Sequence, residues 1–322
     1  MKIKAFLKLV EIQTKVASVI PYLTTLLYVL YSTKQLNGIN MMIMFVSMVL
    51  FDMTVTALNN YYDFKHAEKK HGYNYEIHNS IVQYDLKSGT VKAVIAVMFA
   101  ASAALGLLLV WRTNIITLLL GAGCFGIGVA YSYGPMPISR TPFGEIFSGL
   151  TMGLGIPLIT YFINVFDKDV LNLSLVNRTL TLSFDAYHFA GIILVSLPAV
   201  FCIANIMLAN NICDIEDDLP NKRYTLPILI GKEKAIALLK ILFAMAYAAI
   251  VGAVVLRTLP LYSLLALLTI IPLSKNVKAF VTNPTKKDTF GAIVGSFVMI
   301  NVALALTIGL GVLDATFLHL LA

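Results

Sequence analysis

Nine runs of mostly apolar residues, each about long enough to cross a lipid bilayer, limit what this chain can fold into. They lie near 16–32, 40–58, 92–110, 114–131, 144–163, 188–209, 235–256, 259–274 and 290–312. A spanning helix needs roughly 20 such residues. The rest of the chain cannot build a soluble shell around them. Only 13% of the 322 residues are charged and 58% are apolar, with a mean hydropathy of +0.82, whereas a soluble domain carries about 25% charged residues. Lipid cannot satisfy open backbone groups, and the ten-residue alternating strands of a membrane barrel are missing. The expected fold is therefore all-α: a polytopic bundle of nine transmembrane helices in a single domain, 1–322. The eighth run is the shortest and carries Pro272. The first follows fifteen residues with four lysines and has no small-residue cleavage site, so it reads as a span and not a cleaved leader. Cys124 and Cys202 fall within spans and Cys213 lies just after one, a distribution that argues against disulfides.

Lysine and arginine in short loops set orientation. Eighteen of the 24 fall on the loops that share a side with the N-terminus, and five, Lys34, Arg112, Lys168, Arg178 and Arg257, fall on the other. This places the N-terminus in the cytoplasm and Ala322 outside, in a multi-pass protein of the cell membrane. The net charge of +7 then reflects topology and contact with anionic membrane lipid. It does not mark a nucleic-acid surface, because no basic domain stands free of the membrane. Lys240 is the ionisable residue read within the spans; a transporter should show more.

The pentad Asn-Asn-x-x-Asp occurs twice, as NNYYD at 59–63 and NNICD at 210–214, each where an apolar run ends. Four spans separate the copies, so both emerge on the cytoplasmic face and the halves form a parallel repeat. If the helices continue, Asn60 and Asp63 share a face, as do Asn211, Asp214 and Asp218. Such oxygen donors suit Mg²⁺, which takes one or two carboxylates together with substrate phosphates. Lys65 follows the first copy, and Lys222 and Arg223 follow the second. Acids beside cations fit a metal-bridged diphosphate. Asn59, which opens the first pentad, is placed with the substrate.

Two acidic motifs at the ends of the second and sixth of nine helices resemble the UbiA-type intramembrane prenyltransferases. YSYGPMPISRTPFGEIFSG (131–149) and NNICDIEDDLPNKRYTLPILIG (210–231) are similar to segments of the 1,4-dihydroxy-2-naphthoate polyprenyltransferase branch, and NPTKKDTF (283–290) is a looser echo. The resemblance implies Mg²⁺ held by Asp63, Asp214 and Asp218, with Asn60 and Asn211 as neutral ligands. It implies a polyprenyl diphosphate bound by Lys65, Lys222, Arg223 and Arg140. An allylic cation would be stabilised by Tyr131 and Tyr133 and attacked by an aromatic acceptor. That acceptor would be 1,4-dihydroxy-2-naphthoate, giving demethylmenaquinone; 4-hydroxybenzoate, another aromatic acceptor, or a non-catalytic lipid-binding or transport role stay open. The sequence departs from the pattern in three places. Asn60 stands where an acid is usual, Ala67 and Glu68 stand where a further Asp is usual, and Lys15 stands where an Arg-Pro pair often precedes the first span. Glu68 is a possible substitute ligand, and Lys15 is grouped with the substrate-binding residues.

Other features carry less chemistry. GAGCFG (121–126) lies within a span and reads as a packing face, like Gly149/Gly153 and Gly291/Gly295, and not as a nucleotide loop. His66, His71 and His78 match no zinc spacing. The polar loop 64–90 reads as a lid.

Overall fold

The computed structural model describes residues 1–66, 79–168 and 170–318. The expectations for Ala67, Glu68, His71, His78, residues 67–78 of loop 64–90 and the outer placement of Ala322 lie outside these residues.

Among the described residues nine helices are long and apolar enough to cross a membrane. They are α1 (Ile12–Thr33), α2 (Gly38–Lys65), α3 (Ser88–Arg112), α4 (Ile115–Ser132), α5 (Gly144–Val165), α6 (Ala186–Cys213), α7 (Lys232–Val255), α8 (Leu261–Thr282) and α9 (Phe290–Thr316). A short helix, Ile3–Leu9, precedes α1. The eighth run does form a span. It starts as a tight 3₁₀ turn over Leu261–Thr269 and becomes α-helical at Ile270–Thr282. Pro272 sits in the first turn of that α-helical part, where its missing N–H costs little.

Burial shows how the bundle is arranged. In α6, 67% of the apolar window is buried, against 17% in α3, α4 and α8. Helix α6 is thus the central column, packed against α5, α7 and α9, while the other three are peripheral and bury few side chains in the bundle. Because lipid is as apolar as the side chains, helix association relies on close packing and buried polar ties. The Asn205 amide donates to the Leu239 carbonyl at 3.0 Å and joins α6 to α7. The Asn40 amide donates to the Ile163 carbonyl at 3.1 Å and joins α2 to α5. A β-carbon on Gly153 would lie 2.5 Å from the Val200 backbone, so α5 and α6 touch main chain to main chain there. The Gly149/Gly153 packing face is real. Gly121, Gly123, Gly126, Gly291 and Gly295 meet nothing within 4 Å, and the packing reading fails for them.

One element departs from the all-helical expectation. The loop between α5 and α6 folds into a hairpin of β1 (Leu171–Val176) and β2 (Thr179–Phe184). Leu171 pairs with Phe184, Leu173 with Leu182 and Leu175 with Leu180, so one face is apolar and the other carries Asn172, Ser174, Thr181 and Ser183. These strands are too short to cross a membrane.

The α5–α6 contact yields a test. Alanine normally stabilises a helix relative to glycine by about 1 kcal/mol. At position 153 its methyl group meets backbone, and Gly153→Ala should instead lower stability by about 1–3 kcal/mol. Gly295→Ala, in open space, should be neutral or stabilising. Thermal unfolding in detergent compares the two.

Candidate active site

Helix α2 runs unbroken through the first pentad, since NNYYDFKH contains neither Gly nor Pro. Helix α6 ends at Cys213, and a further turn, Ile215–Asp218, follows. Asp214 lies between them at φ −99°, ψ 3°, a sparsely populated region where active-site residues often sit. The expected continuous helix is therefore broken at the second motif, although the Asp218 N–H still donates to the Asp214 carbonyl at 2.8 Å.

The pentads repeat their hydrogen bonds as well as their letters. The Asn59 amide donates to Asp63 at 3.3 Å, and the Asn210 amide donates to Asp214 at 3.3 Å. The second asparagines turn elsewhere. The Asn60 amide donates to the Leu9 carbonyl at 3.0 Å and to Glu11 at 3.2 Å. The Asn211 amide donates to Glu145 at 2.8 Å. Ser132, at the end of α4, donates to the Asn59 side-chain oxygen at 3.1 Å and ties that helix to the first pentad.

Both pentads open onto one cavity of about 960 Å³. Its polar mouth is lined by Asn59, Asn60, Asp63, Asp214, Arg223 and Lys286. Its wall continues through Met48 and Phe51 to Val110, Thr117 and Ile159, near the opposite ends of α3, α4 and α5. Tyr131 also faces the cavity, its hydroxyl donating to the Met207 sulfur at 3.2 Å. Tyr133 does not; it is exposed at the mouth's outer edge, its ring 5.2 Å from that of Tyr62, and the Lys65 ammonium stands 5.7 Å from the same Tyr62 ring. Arg140 and Lys222 are likewise outside the cavity wall. The Arg140 carbonyl accepts the Tyr224 N–H, and Lys222, with a left-handed φ of 54°, forms the turn that returns Arg223 to Asp218.

Charges at the mouth are paired. The Lys286 ammonium lies 2.6 Å from Asp214, and the Arg223 guanidinium lies 3.3 Å from Asp218. Asp218 and Asn211 are buried behind the wall, and Asp218 Oδ2, Asn211 Oδ1 and Glu145 Oε2 have no hydrogen-bond partner among the described residues. Burial pushes the Asp218 carboxyl up to about 6, with Arg223 opposing the rise and Asp214 adding to it. Burial also works against the charge on Arg223, but Asp218, Asp63 and Asp214 outweigh it and hold the guanidinium above its ordinary range.

Lys286 was not singled out from the sequence, although it stands in the quoted NPTKKDTF segment. Asp52 was missed altogether. It lies midway along α2, on the cavity wall, and contradicts the reading that Lys240 is the ionisable residue within the spans. Lys15 is its partner: the ammonium lies 2.6 Å from the Asp52 carboxylate and 2.6 Å from the Thr56 hydroxyl, and Ser18 donates to the other carboxylate oxygen at 2.6 Å. The buried Lys15 is thus committed to neutralising Asp52 and does not line the cavity.

The family model for the UbiA prenyltransferase family matches residues 18–302. The chain belongs to that family. It is 30% identical over 270 residues to the 1,4-dihydroxy-2-naphthoate octaprenyltransferase of Bacillus subtilis (strain 168), covering 84% of this chain and 80% of the relative. Among solved structures, a UbiA homologue from Aeropyrum pernix K1 superposes with a TM-score of 0.66 at 18% identity, over 93% of this chain and 98% of the other. A digeranylgeranylglyceryl phosphate synthase matches with a TM-score of 0.63 at 14% identity, over 97% and 98%. A homologue from Archaeoglobus fulgidus bound to DMAPP and Mg²⁺ matches with a TM-score of 0.60 at 15% identity, over 93% and 98%. These likenesses confirm the fold, and the family makes this chain a prenyltransferase.

Among the described residues no three carboxylate, histidine or cysteine side chains close into a cation cage. Mg²⁺ generally takes few protein ligands and completes its shell with water and phosphate. Partnerless oxygens behind Asp214 and two cations in exchangeable ion pairs suit a diphosphate carrying such an ion.

Two tests follow. A carboxyl holds a cation only when ionised, so a site that draws on Asp218 should lose Mn²⁺ affinity as pH drops through about 6, and Asp218→Asn should remove that step; electron paramagnetic resonance of free Mn²⁺ between pH 5 and 8 reads it. Lys15→Met should destabilise the protein by about 3–5 kcal/mol, because it leaves Asp52 unpaired in the bilayer. Diphosphate affinity per folded molecule should stay constant in that variant, as isothermal titration would show.

Proposed function

We propose that this prenyltransferase moves a polyprenyl group from a polyprenyl diphosphate to 1,4-dihydroxy-2-naphthoate, with loss of carbon dioxide and diphosphate, giving demethylmenaquinol, the reduced form of demethylmenaquinone. One observation carries the reading: two acid-bearing helix ends and two cations meet at the mouth of a single cavity that continues along apolar side chains toward the far side of the bundle. The curated relative supports the choice of acceptor. The basic-loop bias puts the mouth in the cytoplasm, where a soluble aromatic acid arrives.

The residues divide the work. Lys286 and Arg223 exchange their carboxylate partners for diphosphate oxygens. Asp63 and Asp214, with Asp218 behind them, are the residues that would hold Mg²⁺, which when bound lowers the charge on the departing diphosphate. Below the mouth, Met48, Phe51 and their neighbours take the isoprenoid tail. The bond between the allylic carbon and the diphosphate oxygen breaks, and the electron pair leaves with the diphosphate. Tyr131 presents its ring to the resulting cation. The naphthoate ring carbon that bears the carboxylate attacks, and the carbon–carboxylate bond then returns its electrons to the ring as carbon dioxide departs.

The test is turnover by purified protein with Mg²⁺, octaprenyl diphosphate and a panel of aromatic acids, with products read by mass. The expected product is the naphthoate gaining one octaprenyl group and losing carbon dioxide. Prenylated 4-hydroxybenzoate alone would replace the acceptor, and activity that survives chelation would overturn the metal role. Asp214→Asn should reduce turnover at least about 100-fold. Lys286→Ala should weaken diphosphate binding by about 10- to 100-fold, the effect of one charge-assisted hydrogen bond.

A further inference from the structure

The repeat extends beyond the pentads. In each half the second asparagine donates its amide to a glutamate at the start of the preceding span. Glu145 is the second residue of α5 and receives Asn211 of α6. Glu11 stands immediately before α1 and receives Asn60 of α2. Four spans separate the glutamates, as four separate the pentads. Glu11 sits in a left-handed backbone conformation, φ 46° and ψ 61°, between the helix Ile3–Leu9 and the turn Ile12–Lys15. A non-glycine residue there costs roughly 1–2 kcal/mol, and such strain persists where the surroundings over-determine it. Its side chain lies on the wall of the same cavity as Asp63.

We propose that Glu11 is the first-half counterpart of Glu145 and a positioning residue for prenyl transfer. By accepting the Asn60 amide it fixes the end of α2 about its axis, so that Asn59 and Asp63 face the diphosphate. This rests on the proposed function for its catalytic consequence, but the clasp itself is tested by binding. It also explains why an amide stands at position 60. The Asn60 side-chain nitrogen lies between two acceptors, the Leu9 carbonyl and the Glu11 carboxylate. Aspartate offers neither of them a donor and sets a second negative charge beside Glu11.

A swap of the hydrogen bond's polarity tests this, using Glu11→Ala, Glu11→Gln, Asn60→Asp and the double variant Glu11→Gln/Asn60→Asp. Three quantities are measured in the full-length protein: Mn²⁺ affinity, affinity for a thiodiphosphate analogue of geranyl diphosphate, and, where turnover is seen, kcat and KM. Glutamine still accepts from Asn60, so Glu11→Gln should stay within about threefold of wild type in all three. Loss of the clasp in Glu11→Ala and in Asn60→Asp should weaken binding of the analogue by about tenfold, the effect of one hydrogen bond to a charged group. In the double variant the glutamine amide donates to the carboxylate introduced at position 60, and binding should recover to within about threefold. Three results would overturn the proposal: a double variant no better than Asn60→Asp alone, Asn60→Asp binding Mn²⁺ more tightly than wild type, or Glu11→Gln losing as much as Glu11→Ala. The last would make Glu11 a charge-dependent ligand. If Glu11→Ala does not fold, the rescue of Asn60→Asp by Glu11→Gln still decides. A wild type that binds the analogue but prenylates none of the acceptors refutes the proposed reaction and leaves the clasp testable.

Discussion

A charge beside hydrocarbon needs a partner, and that requirement organises the polar parts of this bundle. Isolated, a buried carboxylate or ammonium is very costly; paired, the two roughly offset each other's desolvation. Lys15 and Asp52 illustrate a pair with nowhere else to go: both are largely buried and further tied by Ser18 and Thr56. The pairs at the cavity mouth differ. Lys286 is about two-fifths exposed, and Arg223 and Asp218 meet at 3.3 Å without hydrogen-bond alignment. Such pairs offset one another's charge during folding, yet can change partners when a ligand brings both anionic oxygens and a cation.

The same requirement gives the cavity its gradient. Polar groups gather at the end where water reaches them, and from Met48 onward the wall is mostly apolar. A ligand with a charged head and a long hydrocarbon tail matches this gradient in one orientation only. Head and tail therefore need no separate recognition devices. Positioning at the mouth follows from satisfying both ends at once, and binding energy from the tail can be used to hold the reacting carbon.

The nine spans were legible because hydrophobic length is a local property of sequence, and the pentads were legible because their letters repeat. Even Pro272 did not hide the eighth span. What stayed hidden depends on three-dimensional partners. Asp52 looked like no site because its partner lies 37 residues earlier. Lys286 meets Asp214 from a loop 72 residues further on, and only the fold makes them neighbours. Tyr131 and Tyr133 part company because α4 ends at Ser132: Tyr131 is still helical and faces the cavity, whereas Tyr133 leaves the helix in extended backbone. The hairpin does leave a mark in the sequence, since LNLSLV and TLTLSF alternate plainly, although runs of six residues are too short to be the strands of a membrane barrel.

The asparagines show how far helix geometry alone can be pushed. Asn59 and Asp63 are four apart and share a face; Asn60, one residue on, is turned by about 100°. Grouping Asn60 with Asp63 as common ligands used the i, i+3 neighbour rule, which is valid for contact but does not say which way an amide is aimed. The aim is set by what else each residue touches: Ser132 and Asp63 for Asn59, Leu9 and Glu11 for Asn60. Asn-Asn-x-x-Asp on a helix thus combines two devices, a pair that faces the cavity and a clasp that faces the neighbouring helix. The second half repeats the arrangement with a buried Glu145 and adds Asp218, Arg223 and Lys286 around Asp214. A parallel repeat places both copies at one membrane face, so the scaffold is duplicated while the charge is concentrated on one side of the cavity mouth. The proposed diphosphate would meet both cations from the second half, and its tail would lie along a wall that α2, α3 and α4 share with α5 and α6.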